Sequence, residues 1–177
     1  MEKDNKKYIY SRPVLDFVTV CVEFCKQLEQ CRNIERSEFI RIMRGLLPML
    51  YLKASMLEQN TEDTDDGYWS EETVTEEDYN YVRSGVCSVM KDKDDYLDVF
   101  VKDFKYSDRP VLRTISEDLA DMYQALRNFI EPYRSECEEA TEVALQEITE
   151  TFRTVWGQTT LNALRALHDA EFGGMEN

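Results

Sequence analysis

The chain has 177 residues, with 21 Lys and Arg against 36 Asp and Glu, and a formal net charge of −15. This excess of negative charge argues against nucleic acid or an anionic membrane as the main partner, because both are polyanions. Hydrophobic residues make up 42% of the chain, which excludes wholesale disorder and is enough for a single helical domain over 1–177. We expect frayed ends at 1–10 and 173–177.

Cysteine usage and hydropathy indicate a cytoplasmic protein. Residues 1–10 contain no apolar stretch of the signal-peptide type, and no apolar run is long enough to span a membrane. The five cysteines include no C-x-x-C pair, so we expect reduced thiols in a reducing compartment. Cys21 and Cys25 lie on an apolar helical stripe, which favours a role as small core residues over metal binding.

Apolar residues recur with the helical period of 3.6 along most of the chain. The pattern predicts an all-α bundle of about six mostly antiparallel helices. The first helix is capped by Ser11 and the second opens at Ser37. Pro48 lies inside the second pattern, so we expect a kink or two shorter helices there.

The helical pattern stops in an acidic segment, residues 58–78, which holds ten acidic residues and no Lys or Arg. We expect an acidic loop over 58–74 between helices 2 and 3, because like charges at this density repel one another in a compact form. Thr75 is then predicted to cap the third helix, whose first turn is acidic. Candidate partner-binding residues in this loop are Asp63, Asp65, Asp66, Tyr68 and Trp69.

Residues 91–110 fit two descriptions. The alternation of Leu97, Val99 and Val101 resembles a short strand, but a lone strand has nothing to pair with in a helical protein. We therefore predict a short helix or an ordered loop for this stretch.

Three further helices are predicted after this stretch. Thr114 or Ser116 caps the fourth helix, which should end before Pro132. The fifth runs over 133–156, and Gly157 is expected to bend or break the chain before the last helix.

The single histidine excludes several classes of enzyme. Di-iron bundles need two Glu-x-x-His motifs, and hydrolytic zinc sites need two or three histidines. No G-x-S-x-G motif is present for a serine hydrolase. Carboxylate-only Mg²⁺ or Mn²⁺ sites pass this test, since those ions prefer oxygen ligands. The residues that could supply such a site are Asp118, Asp121, Glu138, Glu139 and Glu142, although a solvated acidic helix face explains the three glutamates equally well.

His168 lies near the centre of the apolar face of the last predicted helix, with Arg165 on its flank. Both side chains would need acceptors in a core, and Asp118 could supply one. The arrangement predicts either a buried structural network or a small polar pocket for an anionic or metal-bound ligand.

Four segments occur in an order that is similar to a known family: Val74–Tyr79, Asp95–Phe100, Ser116–Tyr123 and Trp156–His168. Together they resemble an all-helical bacterial domain of unknown function that is common in gut Bacteroidetes. The resemblance implies a helical fold but no activity. It directs attention to a polar cluster of Asp118, Asp121, Trp156, Arg165 and His168.

The sequence therefore favours a non-catalytic helical domain, with no cofactor, that acts by contact with a basic protein partner. The alternative is a hydrolase of a phosphorylated small molecule or nucleotide that uses Mg²⁺ or Mn²⁺, with Arg165 holding the anion. Oligomeric state cannot be inferred from the pattern, because any amphipathic face could be shared between subunits.

Overall fold

The fold is mostly helical, in a computed structural model that describes residues 8–57, 72–98, 110–135 and 137–174. None of the helices in these ranges is both long enough and apolar enough to cross a membrane. The helices are α1 (Arg12–Glu29), α2 (Arg36–Ser55), α3 (Glu76–Met90), α4 (Ile115–Ser135), α5 (Glu138–Thr151) and α6 (Gly157–Phe172), and the strands are β1 (Asp95–Asp98) and β2 (Val111–Thr114).

Helix α4 is the centre of the domain, since it packs against α1, α3, α5 and α6, while α2 packs against α1 and α6. The core is a single cluster of buried side chains from all six helices. Cys21 and Cys25 belong to it as free thiols, as predicted, and burial raises the pKa of Cys25 to about 12. Ile9 is also buried, at 1% exposure, so the packed chain begins before α1 rather than fraying through residue 10.

Of the two alternatives predicted at Pro48, the division into two shorter helices is wrong, because α2 is one helix from Arg36 to Ser55 with Pro48 inside it, and a kink within that helix stays a prediction. Pro48 faces solvent. The carbonyl of Arg44, which proline leaves without its helical N–H donor, can therefore be hydrated. Helix α4 likewise runs through Pro132 to Ser135, and the next helix begins at Glu138, later than predicted.

Residues 95–98 and 111–114 form an antiparallel hairpin, which corrects the prediction of a helix or loop over 91–110. Leu97 pairs with Leu112, and Asp95 pairs with Thr114. The prediction failed because β2, the partner of β1, comes only after residues 99–109, so the local sequence around β1 does not reveal it. Residues 99–109 lie outside the described residues. A strand at Asp95–Asp98 is stable because the partner strand leads directly into α4.

Of the predicted caps, Thr75 and Thr114 are confirmed, whereas Ser11 occupies the N-cap position of α1 without a side-chain capping hydrogen bond. Thr75 forms a capping box with Asp78 at the start of α3. At the start of α4, the Thr114 hydroxyl accepts a hydrogen bond from the N–H of Glu117 at 3.2 Å. Ser116 has another role, since its N–H and hydroxyl donate to the buried carboxylate of Asp94 at 2.8 and 2.6 Å.

Replacement of Thr75 by alanine should lower the free energy of unfolding by about 1 kcal/mol at neutral pH. The hydroxyl accepts from the Asp78 N–H at 3.1 Å and donates to the Asp78 carboxylate at 2.7 Å. The bonds from Thr75 hold the pKa of Asp78 below its usual value. Their contribution is present above the unfolded pKa and is lost as pH falls through the folded pKa, so the cost of Thr75→Ala should shrink in acid.

Chemical denaturation at neutral and acidic pH measures both effects. The matched control is Thr19→Ala in the exposed middle of α1, where the hydroxyl donates to the Leu15 carbonyl at 2.8 Å. Alanine is the better helix former there, so this variant should be neutral or more stable. Equal losses in the two variants would contradict the assignment of a cap to Thr75.

Candidate functional site

A cleft of about 490 Å³ opens where α4, α5 and the start of α6 meet. We call it the Trp156 cleft. Its floor is formed by the apolar residues Ala125, Phe129, Ala144, Ile148 and Trp156. Its other lining residues are Glu72, Asp121, Asn128, Glu147, Thr151, Val155 and Thr159.

A π-helical turn over Phe152–Trp156 shapes this cleft and joins α5 to α6. The Gly157 N–H donates to the Phe152 carbonyl, five residues earlier, and a β-carbon on Gly157 would lie 2.3 Å from that oxygen. Glycine is therefore required for the turn. The predicted break at Gly157 is wrong, because this extra-wide turn carries the helix through without interruption.

The π turn places Trp156 in the floor of the cleft with 3% exposure. Its indole N–H donates to the Ile148 carbonyl at 3.0 Å, so the polar atom of the ring is satisfied. The ring stacks on Phe17 with centroids 6.1 Å apart and contacts Phe152 at 4.8 Å. These contacts fix the ring, and the floor is formed in advance of any ligand.

Negative charge surrounds the apolar floor. Glu72, Asp121 and Glu147 line the cleft, and none of its described lining residues is Lys, Arg or His. Asp121 accepts a hydrogen bond from the Tyr79 hydroxyl at 2.8 Å. Burial, together with this hydrogen bond to a carboxylate, raises the pKa of Tyr79 well above its usual value. Tyr79 is therefore a neutral donor that orients Asp121 without cancelling its charge.

Asn128 attaches the end of the acidic segment to the cleft. Its side-chain oxygen accepts three hydrogen bonds at 3.0 Å, from the N–H and hydroxyl of Thr73 and from the N–H of Val74. Val74 is buried, and Glu72, the residue before Thr73, lines the cleft. The end of the acidic loop over 58–74 is therefore in contact with the candidate site.

A second groove, of about 540 Å³, lies on the other side of Thr73 and Val74. It contains its own cation, Arg127, which donates to Glu131 at 3.0 Å and lies 3.7 Å from Glu29. Two of the three carboxylates of this groove, Glu29 and Glu131, are thus paired with a cation inside it, unlike Asp121 in the Trp156 cleft. This contrast makes the Trp156 cleft the better site for a basic ligand.

Asp118 is buried at 0% exposure and joins the hairpin to α4. One carboxylate oxygen accepts from Arg113 of β2 at 2.7 Å, and the other accepts from the Tyr96 hydroxyl of β1. Burial raises the pKa of Asp118 from its usual value, although Tyr96 and Arg113 oppose the shift. Asp118 therefore holds the hairpin and does not bind Arg165 or His168.

The structure corrects the predicted placement of Arg165 and His168, since both are exposed. His168 packs its ring on Phe172 at 4.9 Å, outside the core. The core-facing side chains of α6 are instead Thr160, Ala163, Ala166 and Leu167. Of the predicted polar cluster, the structure brings Asp121 and Trp156 together at the cleft.

The carboxylates proposed as Mg²⁺ or Mn²⁺ ligands were Asp118, Asp121, Glu138, Glu139 and Glu142. Within the ranges that the structure describes, no three His, Cys, Asp or Glu side chains form a group that could hold a metal ion. The candidate partner-binding residues Asp63, Asp65, Asp66, Tyr68 and Trp69 lie outside the described residues.

Sequence reasoning missed the residues that give the cleft its depth. Ala125 and Ala144 are small and only weakly hydrophobic, and Thr151 and Thr159 are typical of exposed helix positions. The available signal was Gly157 itself, since a glycine inside a helical pattern often has a packing or functional reason.

Gly157→Ala should lower the free energy of unfolding by about 1–3 kcal/mol, because the added methyl group collides with the backbone oxygen of the π turn. Gly45→Ala is the matched control: no atom lies within 4 Å of the added carbon, and alanine in this exposed helix position should add up to about 1 kcal/mol. Chemical denaturation measures both. A neutral Gly157→Ala would show that the π turn does not depend on glycine.

Residues 8–172 match the family described as domain of unknown function DUF5063. The fold is similar to the crystal structure of protein BF1032 from Bacteroides fragilis, a target of the Northeast Structural Genomics Consortium, with a TM-score of 0.80 and 37% identity over 93% of this chain and 95% of that one. No curated protein matches the chain. The resemblance to a bacterial domain of unknown function is thus confirmed, and the chain belongs to the DUF5063 family.

Proposed function

We propose that the protein is a non-catalytic recognition domain that binds a basic protein partner at the Trp156 cleft. The observation that carries this proposal is the combination of a preformed apolar floor with a carboxylate rim. Interfaces of this kind bury an apolar centre and place charges at the edge. Nucleic acids and anionic membranes are poor partners for such a rim because they carry the same charge.

Electrostatic steering supports the choice of a basic partner. Residues 58–78 contribute ten carboxylates to a chain of net charge −15, and Asn128 binds Thr73 and Val74 of this segment beside the cleft. A concentrated field raises the encounter rate with a cationic partner, whereas the apolar floor supplies contact area after the encounter. The five free cysteines support the cytoplasm as the place where this happens.

The carboxylate chemistry favours recognition over metal-assisted hydrolysis. Asp118, the predicted metal ligand with the greatest burial, is already bound to Tyr96 and Arg113. Arg165, the predicted anion-holding residue, is exposed on α6 and is absent from the described lining of the cleft. Recognition of a cation uses Asp121 at the rim, whose described hydrogen-bond partner is the hydroxyl of Tyr79.

The test compares two variants that each lose two negative charges. Asp121→Asn with Glu147→Gln changes the cleft rim, and Glu35→Gln with Asp169→Asn changes two exposed positions outside both the cleft and residues 58–78. Immobilised wild-type protein should retain basic proteins from a bacterial lysate at low salt, with retention falling as ionic strength rises.

The cleft variant should lose these proteins, and the control variant should keep them. Equal retention by all three proteins would contradict the site. Equal loss in both variants would show that net charge alone attracts the partner and that the cleft does not recognise it.

A further inference from the structure

We infer that the Trp156 cleft binds a short amphipathic segment of the partner, in which one large apolar side chain enters the cleft and flanking Lys or Arg side chains meet the rim. This inference rests on the proposed function and specifies the ligand of the same site.

The shape of the cleft is that of a groove between two helices. On α4 the lining residues are Asp121, Ala125, Asn128 and Phe129, with spacings of four, three and one. On α5 they are Ala144, Glu147, Ile148 and Thr151, which again follow one helical face. At a rise of about 1.5 Å per residue, each face extends for roughly 10–12 Å, which is the length of about two helical turns.

Small residues provide the depth. Ala125 of α4 and Ala144 of α5 both line the cleft, and a larger side chain at either position would fill it. The volume of about 490 Å³ lies within the usual range for ligand sites, about 300–1,000 Å³. Trp156 and Phe129 are both in ring contact with Phe17, at 6.1 and 5.3 Å, so the floor resists collapse and can accept a bulky anchor.

The distribution of charge determines which part of the ligand is cationic. An inserted lysine would bring its ammonium group against Trp156 and Ile148, where desolvation is costly. The carboxylates of Glu72, Asp121 and Glu147 instead belong to the polar lining around this floor. The favourable ligand therefore has an apolar side chain at the centre, such as leucine or phenylalanine, with the cations on neighbouring residues.

The probes are three short synthetic peptides of equal length. The first carries leucines on one helical face and lysines elsewhere, the second replaces leucine by alanine, and the third replaces lysine by glutamine. The chain has two tryptophans, so Trp156 is the single fluorescent tryptophan in the Trp69→Phe background. Calorimetry on the wild type checks that this background leaves the affinity unchanged.

We expect the leucine–lysine peptide to change Trp156 fluorescence and bind at least about tenfold more tightly than the alanine peptide, since burial of a leucine side chain is worth that factor or more. Asp121→Asn with Glu147→Gln should weaken binding about tenfold, and Glu35→Gln with Asp169→Asn less than about twofold. Ala125→Leu should abolish binding by filling the cleft. Its thermal unfolding is measured first, because a folded variant is needed for this comparison.

Equal binding of the leucine and alanine peptides would overturn the inference while leaving the proposed function intact, if the capture experiment still depends on the cleft. Binding that survives in a folded Ala125→Leu variant would also overturn it, since the anchor would then lie elsewhere. A third result would also overturn it: no peptide binds, but the wild-type protein self-associates and Ala125→Leu abolishes that self-association. The cleft would then bind a second copy of the chain.

Discussion

The hydrogen bond from the Gly157 N–H to the Phe152 carbonyl is the constraint on which the candidate site depends. An α-helical turn at this point would rotate every following side chain relative to α5. The π turn instead leaves Trp156 in the cleft floor and directs Thr160, Ala163 and Leu167 into the core. Because a side chain on residue 157 would strike the same carbonyl oxygen, the geometry of the turn and the glycine are inseparable.

Helix α4 connects this turn to the rest of the domain. Asp118 near its start holds the hairpin, Asp121 supplies a rim carboxylate, and Asn128 attaches the end of the acidic segment. Phe129 then contributes to the cleft floor. Helix α4 thus carries, within a few turns, the side chains that connect the acidic segment to the cleft. Because α4 packs against four other helices, these side chains are held in a fixed arrangement.

The sequence was informative where local chemistry decides the structure. Helical periodicity, the Thr75 cap and the buried Cys21 and Cys25 follow from spacing and side-chain type alone. The hairpin cannot be inferred in this way, because its strands pair across an intervening segment. The buried face of α6 cannot be inferred either, because the π turn rotates the helix relative to α5. The face of α6 that meets the core carries the small residues Thr160 and Ala163, whereas the larger Leu161 is 42% exposed.

The most direct test of the central claim is a ¹⁵N NMR titration of the wild-type protein with the leucine–lysine peptide. The account predicts that the indole N–H of Trp156 and the backbone amides of Ala125 and Thr151 shift most, because these groups line the cleft. Shifts concentrated instead on exposed apolar positions of α2 or the hairpin, such as Leu52 and Leu112, would contradict it.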